Sequence, residues 1–425
     1  MSRVANGVAV ADGGWPQDPT VRAEFDGSGW FKPIEPFLTA NDELVSPAKR
    51  RKDPELVETI LAGPSQSALG AARACDMGIN EIAGRIHAWY SLLPELQDAT
   101  TEQYVSELVK IRDNAGEDLS IAEAASRTVA ALVEGSLDAD EPDEIRELFI
   151  EGSALDRAVM RASAMTDVPE GEDPHLEEAL AILEGALEPI DSVGAYLDDD
   201  SQVFRYFGSV AERLRFNRDI DDHLRRVRLV PDSYFRAHLL CARFLGSMER
   251  YDEAMTHALI LQRIAPASID AALVQVRILE DQSRTFEAAD LLKSCIDLSL
   301  TGRDAALSHY RLAYMQWKLG REDLGVACYQ RALKWRTDIA GMAKAEMDDL
   351  ISSDEALKPL SEEEADALLT ANSIPLGCEQ DDMEVIRNAA VHAIDAGLFP
   401  TARPLLGVLY EMRRDDVIYD LYRML

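Results

Sequence analysis

The 425-residue chain is poor in the patterns that usually betray a chemistry. Its five cysteines (Cys75, Cys241, Cys295, Cys328 and Cys378) are odd in number, scattered, and form no CxxC pair. That excludes a disulfide framework and a zinc-ribbon spacing. Cys241, Cys295 and Cys328 sit in apolar stripes, where a thiol acts as a small hydrophobe. The seven histidines are dispersed, with no HExxH cluster. Neither a GxxxxGK phosphate loop nor a GxSxG nucleophile elbow occurs. No catalytic residue, cofactor or metal is therefore expected, and the chain does not read as an enzyme. Long apolar runs are missing too: none approaches the roughly 18 residues of a membrane span. The start, MSRVANGVAVADGGWPQ, lacks a signal-peptide core, so a cytoplasmic protein with no membrane partner is expected. Positive charge is scarce, 43 Lys and Arg against 77 Asp and Glu, for a net charge of −34. That argues against non-specific nucleic-acid binding, which relies on cationic surface.

What is present is acid, unevenly placed, and helical periodicity. Residues 95–200 hold 29 acidic against 6 basic residues, a balance of −23, whereas residues 201–345 hold 22 basic against 18 acidic, a balance of +4. Residues 1–53 are rich in Gly, Pro and Asp and read as an irregular arm, with Lys49-Arg50-Arg51-Lys52 as a solvated patch before a helix start at Asp53-Pro54. Residues 54–200 read as an acidic helical region, with helices over 101–115, 120–135, 142–151 and 153–164 among others. Asp198-Asp199-Asp200 lacks the spacing of a calcium loop and reads as solvated. Regular helix pairs are expected over 201–345 and a linker with one short helix over 346–383. A terminal hairpin with a capping helix is expected over 384–425.

Within 201–345 a small residue recurs. Ala254 in RYDEAMTHALILQRIAP is followed 34 residues later by Ala288 in RTFEAADLLKSCIDL, and Gly325 in REDLGVACYQRALKW comes 37 residues after that. A period of this size marks stacked repeats, each burying its apolar face against its neighbours. The pattern resembles the tetratricopeptide repeat family, a 34-residue unit of two antiparallel helices, A and B. In that family small residues at positions 8, 20 and 27 let the helices approach closely. The fourth unit, 306–339, matches best, with Ala313, Gly320, Gly325, Tyr329 and Ala332 at positions 8, 15, 20, 24 and 27. The second, 235–268, offers Ala242, Ala254 and Pro266, and the third, 269–302, offers Val276, Ala288 and Cys295. The first, 201–234, keeps Gly208 but has Ile220 at position 20 and is degenerate.

The resemblance implies an all-α right-handed superhelix of helical hairpins, with a concave groove lined by the A helices. The groove columns hold Arg205, Arg213, Arg236, Arg243, Arg277, Tyr310, Tyr314, Trp317 and Lys318. Guanidiniums bond carboxylates bidentately and aromatic faces anchor apolar groups, so an acidic peptide or protein partner is expected. The implied function is an interaction scaffold or adaptor. The competing reading of the same residues is internal ion pairing with Glu212, Glu280 or Asp281. An alternative function is a regulator whose 71–93 segment, faintly like a helix-turn-helix, contacts DNA. The terminal helix, with Tyr419, Tyr422 and Leu425, is expected to offer a homodimer surface.

Overall fold

The computed structural model describes residues 3–5, 8–10, 89, 96, 99–115, 119–167, 174–219, 225–395 and 399–425. The predicted helices 54–62, 65–76 and 79–92 and the basic patch at 49–52 fall outside these residues, Trp89 excepted. Seventeen α-helices dominate the described residues and consecutive helices pack in pairs, so the fold is all-helical with little strand. None of the described helices is long and apolar enough to cross a membrane. Near the start, β1 (Arg3–Ala5) pairs antiparallel with β2 (Val8–Val10), Ala5 opposite Val8. The irregular reading of 1–53 is corrected there. Asn6-Gly7 between two alternating runs is a hairpin signal that the sequence already carries.

Two compact bodies divide the rest of the chain. The N-terminal body, 61–210 with 220–266, contains α1 (Thr101–Asn114), α2 (Leu119–Glu134), α3 (Pro142–Ile150), α4 (Ala154–Thr166) and α5 (Leu176–Asp191). Helix starts follow from their caps. Thr100 and Gln103 form a reciprocal capping box on α1, and Ser153 and Asp156 do the same on α4. α1 packs on α2, α2 on α3, and α4 on α5. Trp89 stacks on Tyr104 (6.4 Å between centroids) and tilts against Phe149 (6.3 Å) in a core with Leu108 and Ile145.

After α5 the chain departs from the helical expectation. β3 (Gln202–Arg205) pairs in parallel with β4 (Arg226–Leu229), Gln202 opposite Arg226, and a helix lies between them in sequence, α6 (Val210–Asp219). The predicted first repeat, 201–234, is therefore not a helix hairpin. Short alternating runs, Gln-Val-Phe-Arg and Arg-Val-Arg-Leu, put Val203 in the core while Arg228 donates to Gln202 at 3.0 Å. Two of the three aspartates before β3, Asp198 and Asp199, take local hydrogen-bond partners, while Asp199 and Asp200 are exposed as the solvated reading has them. Asp199 accepts from the backbone N–H and hydroxyl of Ser201 and from Gln202, which holds its carboxyl down at about 2. Asp198 accepts from the Phe204 amide and the Arg205 guanidinium. α7 (Asp232–Ser247) and α8 (Tyr251–Ile264) then close the body as a packed hairpin, α7 lying against α4 and α5.

The C-terminal body contains residues 211–219 and 267–425. Its helices are α9 (Ile269–Asp281), α10 (Thr285–Leu298), α11 (Gly302–Lys318), α12 (Glu322–Lys334), α13 (Ala340–Ser353), α14 (Glu362–Ala371), α15 (Gln380–Asp395), α16 (Phe399–Arg413) and α17 (Asp416–Met424). Each of α9 to α12 packs on the next, and α12 also packs on α13 and α14. The small residues lie where the helices cross. A Cβ on Gly325 of α12 would stand 3.2 Å from the Ala313 carbonyl oxygen of α11 and 3.3 Å from Leu350 Cδ2 of α13. Ala254 and Ala288 are likewise fully buried. Gly320 ends α11 with φ +69°, a conformation costly for other residues. The stretch 346–383 holds the end of α13, all of α14 and the first residues of α15.

Candidate interaction face

Three arginines of the column, Arg205, Arg236 and Arg277, are held in ion pairs. Arg205 lies on β3 rather than on a helix and binds Asp198 at 2.8 Å. Arg236 pairs with Asp232 one turn earlier on α7 at 3.1 Å, and Arg277 with Asp281 one turn later on α9 at 2.9 Å. Arg213 is half-buried on α6, and Arg243 is exposed on α7. Arg205, Arg236 and Arg243 belong to the N-terminal body, whereas Arg213, Arg277 and the four α11 residues belong to the C-terminal body.

On the C-terminal body, two bridges tie neighbouring helices together. Arg311 of α11 donates to Glu280 of α9. The Glu346 carboxylate of α13 accepts from the hydroxyls of Tyr310 on α11 and Tyr329 on α12. Tyr310 is thus half-buried and occupied in holding the stack. Tyr314 and Trp317 are not. They remain 40% and 45% exposed, although both are large apolar rings, with centroids 5.5 Å apart and planes inclined by 38°. The Lys318 ammonium lies 4.9 Å from the Tyr314 centroid, and no carboxylate among the described residues forms an ion pair with it. Arg321, three residues beyond α11, is exposed as well. The last turn of α11 therefore presents an aromatic pair beside the Lys318 ammonium, where the helix dipole also favours positive charge.

Buried polar chemistry elsewhere is structural in type. In the N-terminal body His238 Nδ1 and His257 Nδ1 are 2.8 Å apart, so a single shared proton joins α7 to α8. Asp191 of α5 approaches His238 Nε2 at 3.7 Å and accepts from the Tyr234 hydroxyl at 2.6 Å. Burial, then His238, pushes the His257 imidazole down to about 4. In the C-terminal body Arg331 donates to Asp366 and to the Leu376 carbonyl, clamping the segment before α15 onto α12. His309 is wholly buried, and burial, then Arg331, pushes it down to about 3. Burial raises the Cys241, Cys295 and Cys378 thiols to about 12, 12 and 11, and raises Cys328 further, so these thiols stay protonated.

The remaining expectations fall as follows. The 71–93 segment lies outside the described residues except Trp89, a core residue that is 1% exposed. At the C-terminus Ile418 and Leu421 are buried as α17 packs on α16, and the Tyr419 ring lies tilted by 32° against Tyr410 at 4.7 Å. Tyr419 is 36% exposed, and Tyr422 and Leu425 are half-buried. Sequence columns missed the His238–His257 pair and a buried arginine, Arg215, because their partners are set by tertiary packing. No family model matches this chain, and no curated protein or solved structure does either.

Proposed function

We propose that the C-terminal body is a protein-interaction module, a stack of tetratricopeptide-like hairpins whose ligand face runs along α9, α11 and α13. The observation that carries this reading is the exposed Tyr314–Trp317 pair with the ion-unpaired Lys318 beside it. Rigid aromatic surface left in water is the usual anchor of a recognition site, because covering it releases water at little conformational cost. The close α11–α12 crossing at Gly325 and the Glu280–Arg311 bridge support hairpins stacked side by side, as in that repeat. The ligand fitted by this turn is an extended peptide with an apolar or aromatic side chain next to a carboxylate. The former laps Trp317 and the latter pairs with Lys318 or Arg321. The arginine column contributes less than its sequence suggests, since Arg236 and Arg277 already hold acids of their own helices.

A peptide array probed with the full chain tests this. Trp317→Ala is expected to cost about 2 kcal/mol of affinity, some thirtyfold, on peptides that bind the parent protein. Lys318→Glu should move preference away from acidic peptides. Trp317 is 45% exposed and Lys318 is exposed, and circular dichroism checks that each variant stays folded. Binding unaltered by either substitution would remove this face from consideration.

A further inference from the structure

α5 of the N-terminal body is apolar on two sides and buries only one. Ala179, Leu180, Leu183 and Leu187 are buried, and the helix packs on α4 and α7. A helix at the surface normally sets charge opposite such a stripe. Here Ala181, Gly185 and Pro189, at i, i+4 and i+8, line an exposed side instead, with Ile182 half-buried beside them. The turn after the helix adds larger side chains: Val193 is 75% exposed and Leu197 57%. Single exposed apolar residues are ordinary, whereas a run of them along one helix side marks a binding surface.

This apolar lane is edged with acid. Glu177, Glu184 and Glu188, at i, i+7 and i+11, form an exposed row along α5, and Glu178 is exposed as well. The helix itself carries no lysine or arginine. Arg250 of α8 approaches Glu177 at 3.5 Å but is closer to Glu253, at 2.7 Å. Pro189 adds an acceptor to the same side. It has no N–H, so the Gly185 carbonyl four residues earlier loses its usual helical donor. The space above Gly185 is open, since an added Cβ would meet nothing within 4 Å. Negative charge, a carbonyl acceptor and apolar area thus share one helix.

The charge selects the occupant. Nucleic acid and anionic lipid would be repelled, and so would a second copy of a chain whose net charge is −34. We propose that the outer side of α5 is a second docking surface, and that it takes a cationic amphipathic helix from another protein. The apolar side of that helix covers Pro189, Val193 and Leu197, while its lysines or arginines meet Glu184, Glu188 and the Gly185 carbonyl. Ala181 and Gly185 keep the lane low, so the incoming helix axis comes close. Long cationic side chains suit the margin, because their methylene stems lie on apolar surface while their heads reach acid. This surface and the Tyr314–Trp317 face belong to different bodies and select opposite charges.

Fluorescence anisotropy of the full chain with a labelled leucine–lysine peptide of helical period, about 18 residues or five turns long, tests this. The same peptide with glutamate for lysine serves as its control. The lysine peptide should bind at low salt and the glutamate peptide should not. Val193→Ser with Leu197→Ser, and separately Glu184→Lys with Glu188→Lys, should each weaken binding by about tenfold or more. The charge reversal should also flatten the salt dependence. Trp317→Ala, on the other body, should leave this binding unchanged. Circular dichroism checks folding, and if the serine pair unfolds the protein the lysine pair decides. The proposal is overturned if either pair, still folded, binds the peptide like the parent. Loss of the apolar pair without effect would mean that the peptide senses net charge alone. It also falls if the glutamate peptide binds equally well, or if the parent binds anionic lipid vesicles and the serine pair does not. A lower mass in solution for the serine pair overturns it too, since a second copy then covers the lane.

Discussion

Acidification from pH 7 to pH 4 should weaken the N-terminal body by about 3 kcal/mol through one side chain, His257. The imidazole is held down at about 4 in the folded state against an ordinary value of 6.5. A histidine with a depressed folded pKa contributes its full stability above 6.5. The contribution drains away as pH falls from 6.5 toward 4, because the unfolded chain takes up the proton and the folded chain resists it. Geometry gives the reason. The His257 ring is largely buried with His238 Nδ1 at 2.8 Å, so a charge there is poorly solvated. Urea unfolding of the parent and His257→Gln proteins at pH 7 and pH 4 measures this directly. The glutamine protein should lose about 3 kcal/mol less over that interval. Identical pH slopes would show that the imidazole is not buried as neutral.

The C-terminal body carries two opposed groups. His309, held at about 3, withdraws about 3 kcal/mol between pH 6.5 and pH 4 by the same sign argument. Asp297 acts the other way. Its folded pKa is raised from 3.8 to about 6, so the folded state binds the proton first and gains about 2 kcal/mol as pH falls through 6 toward 4. The near-cancellation should leave this body flatter in acid than its histidine alone suggests. Asp297→Asn should remove the offset and steepen its decline.

How much of this was legible in the sequence depends on the range of the interaction. The helices 101–115, 120–135, 142–151 and 153–164 emerge as α1 to α4 because caps and apolar periodicity are local. Thr100, Gln103, Ser153 and Asp156 lie within one turn of the ends they close. The small residues at Ala254, Ala288 and Gly325 were legible for the same reason, since a fixed interval needs no knowledge of the partner helix. β3 and β4 were not: four residues of alternation are too short to oppose a helical reading, and their pairing spans 24 positions. Reading the groove columns in isolation overstated the arginines. Asp232 before Arg236 and Asp281 after Arg277 are i,i+4 neighbours, so two of those pairs could have been read from the sequence. Arg215 and Asp382 stand 167 residues apart, and only the folded chain brings them together.

Gly325→Val should destabilise the C-terminal body by about 3 kcal/mol, whereas Gly325→Ala should be close to neutral. Two effects decide the sign. Alanine in a helix interior is favoured over glycine by about 1 kcal/mol, through lower backbone entropy in the unfolded chain. Against that, the new Cβ would lie 3.2 Å from the Ala313 carbonyl oxygen and 3.3 Å from Leu350 Cδ2. Leu350 can swing aside by a few tenths of an ångström, but the carbonyl is main chain of α11 and cannot. One methyl is therefore accommodated at a cost similar to the propensity gain. Valine adds two branches at Cβ with a restricted rotamer, so α11 and α12 must separate and the crossing loses its packing. Such a shift would also disturb Glu346, which ties α11 and α12 to α13 through Tyr310 and Tyr329. Thermal or urea unfolding of the two variants should therefore separate them by about 3 kcal/mol. If both behave like the parent, the helices do not cross at Gly325 and the proposed stacking of hairpins loses its physical basis.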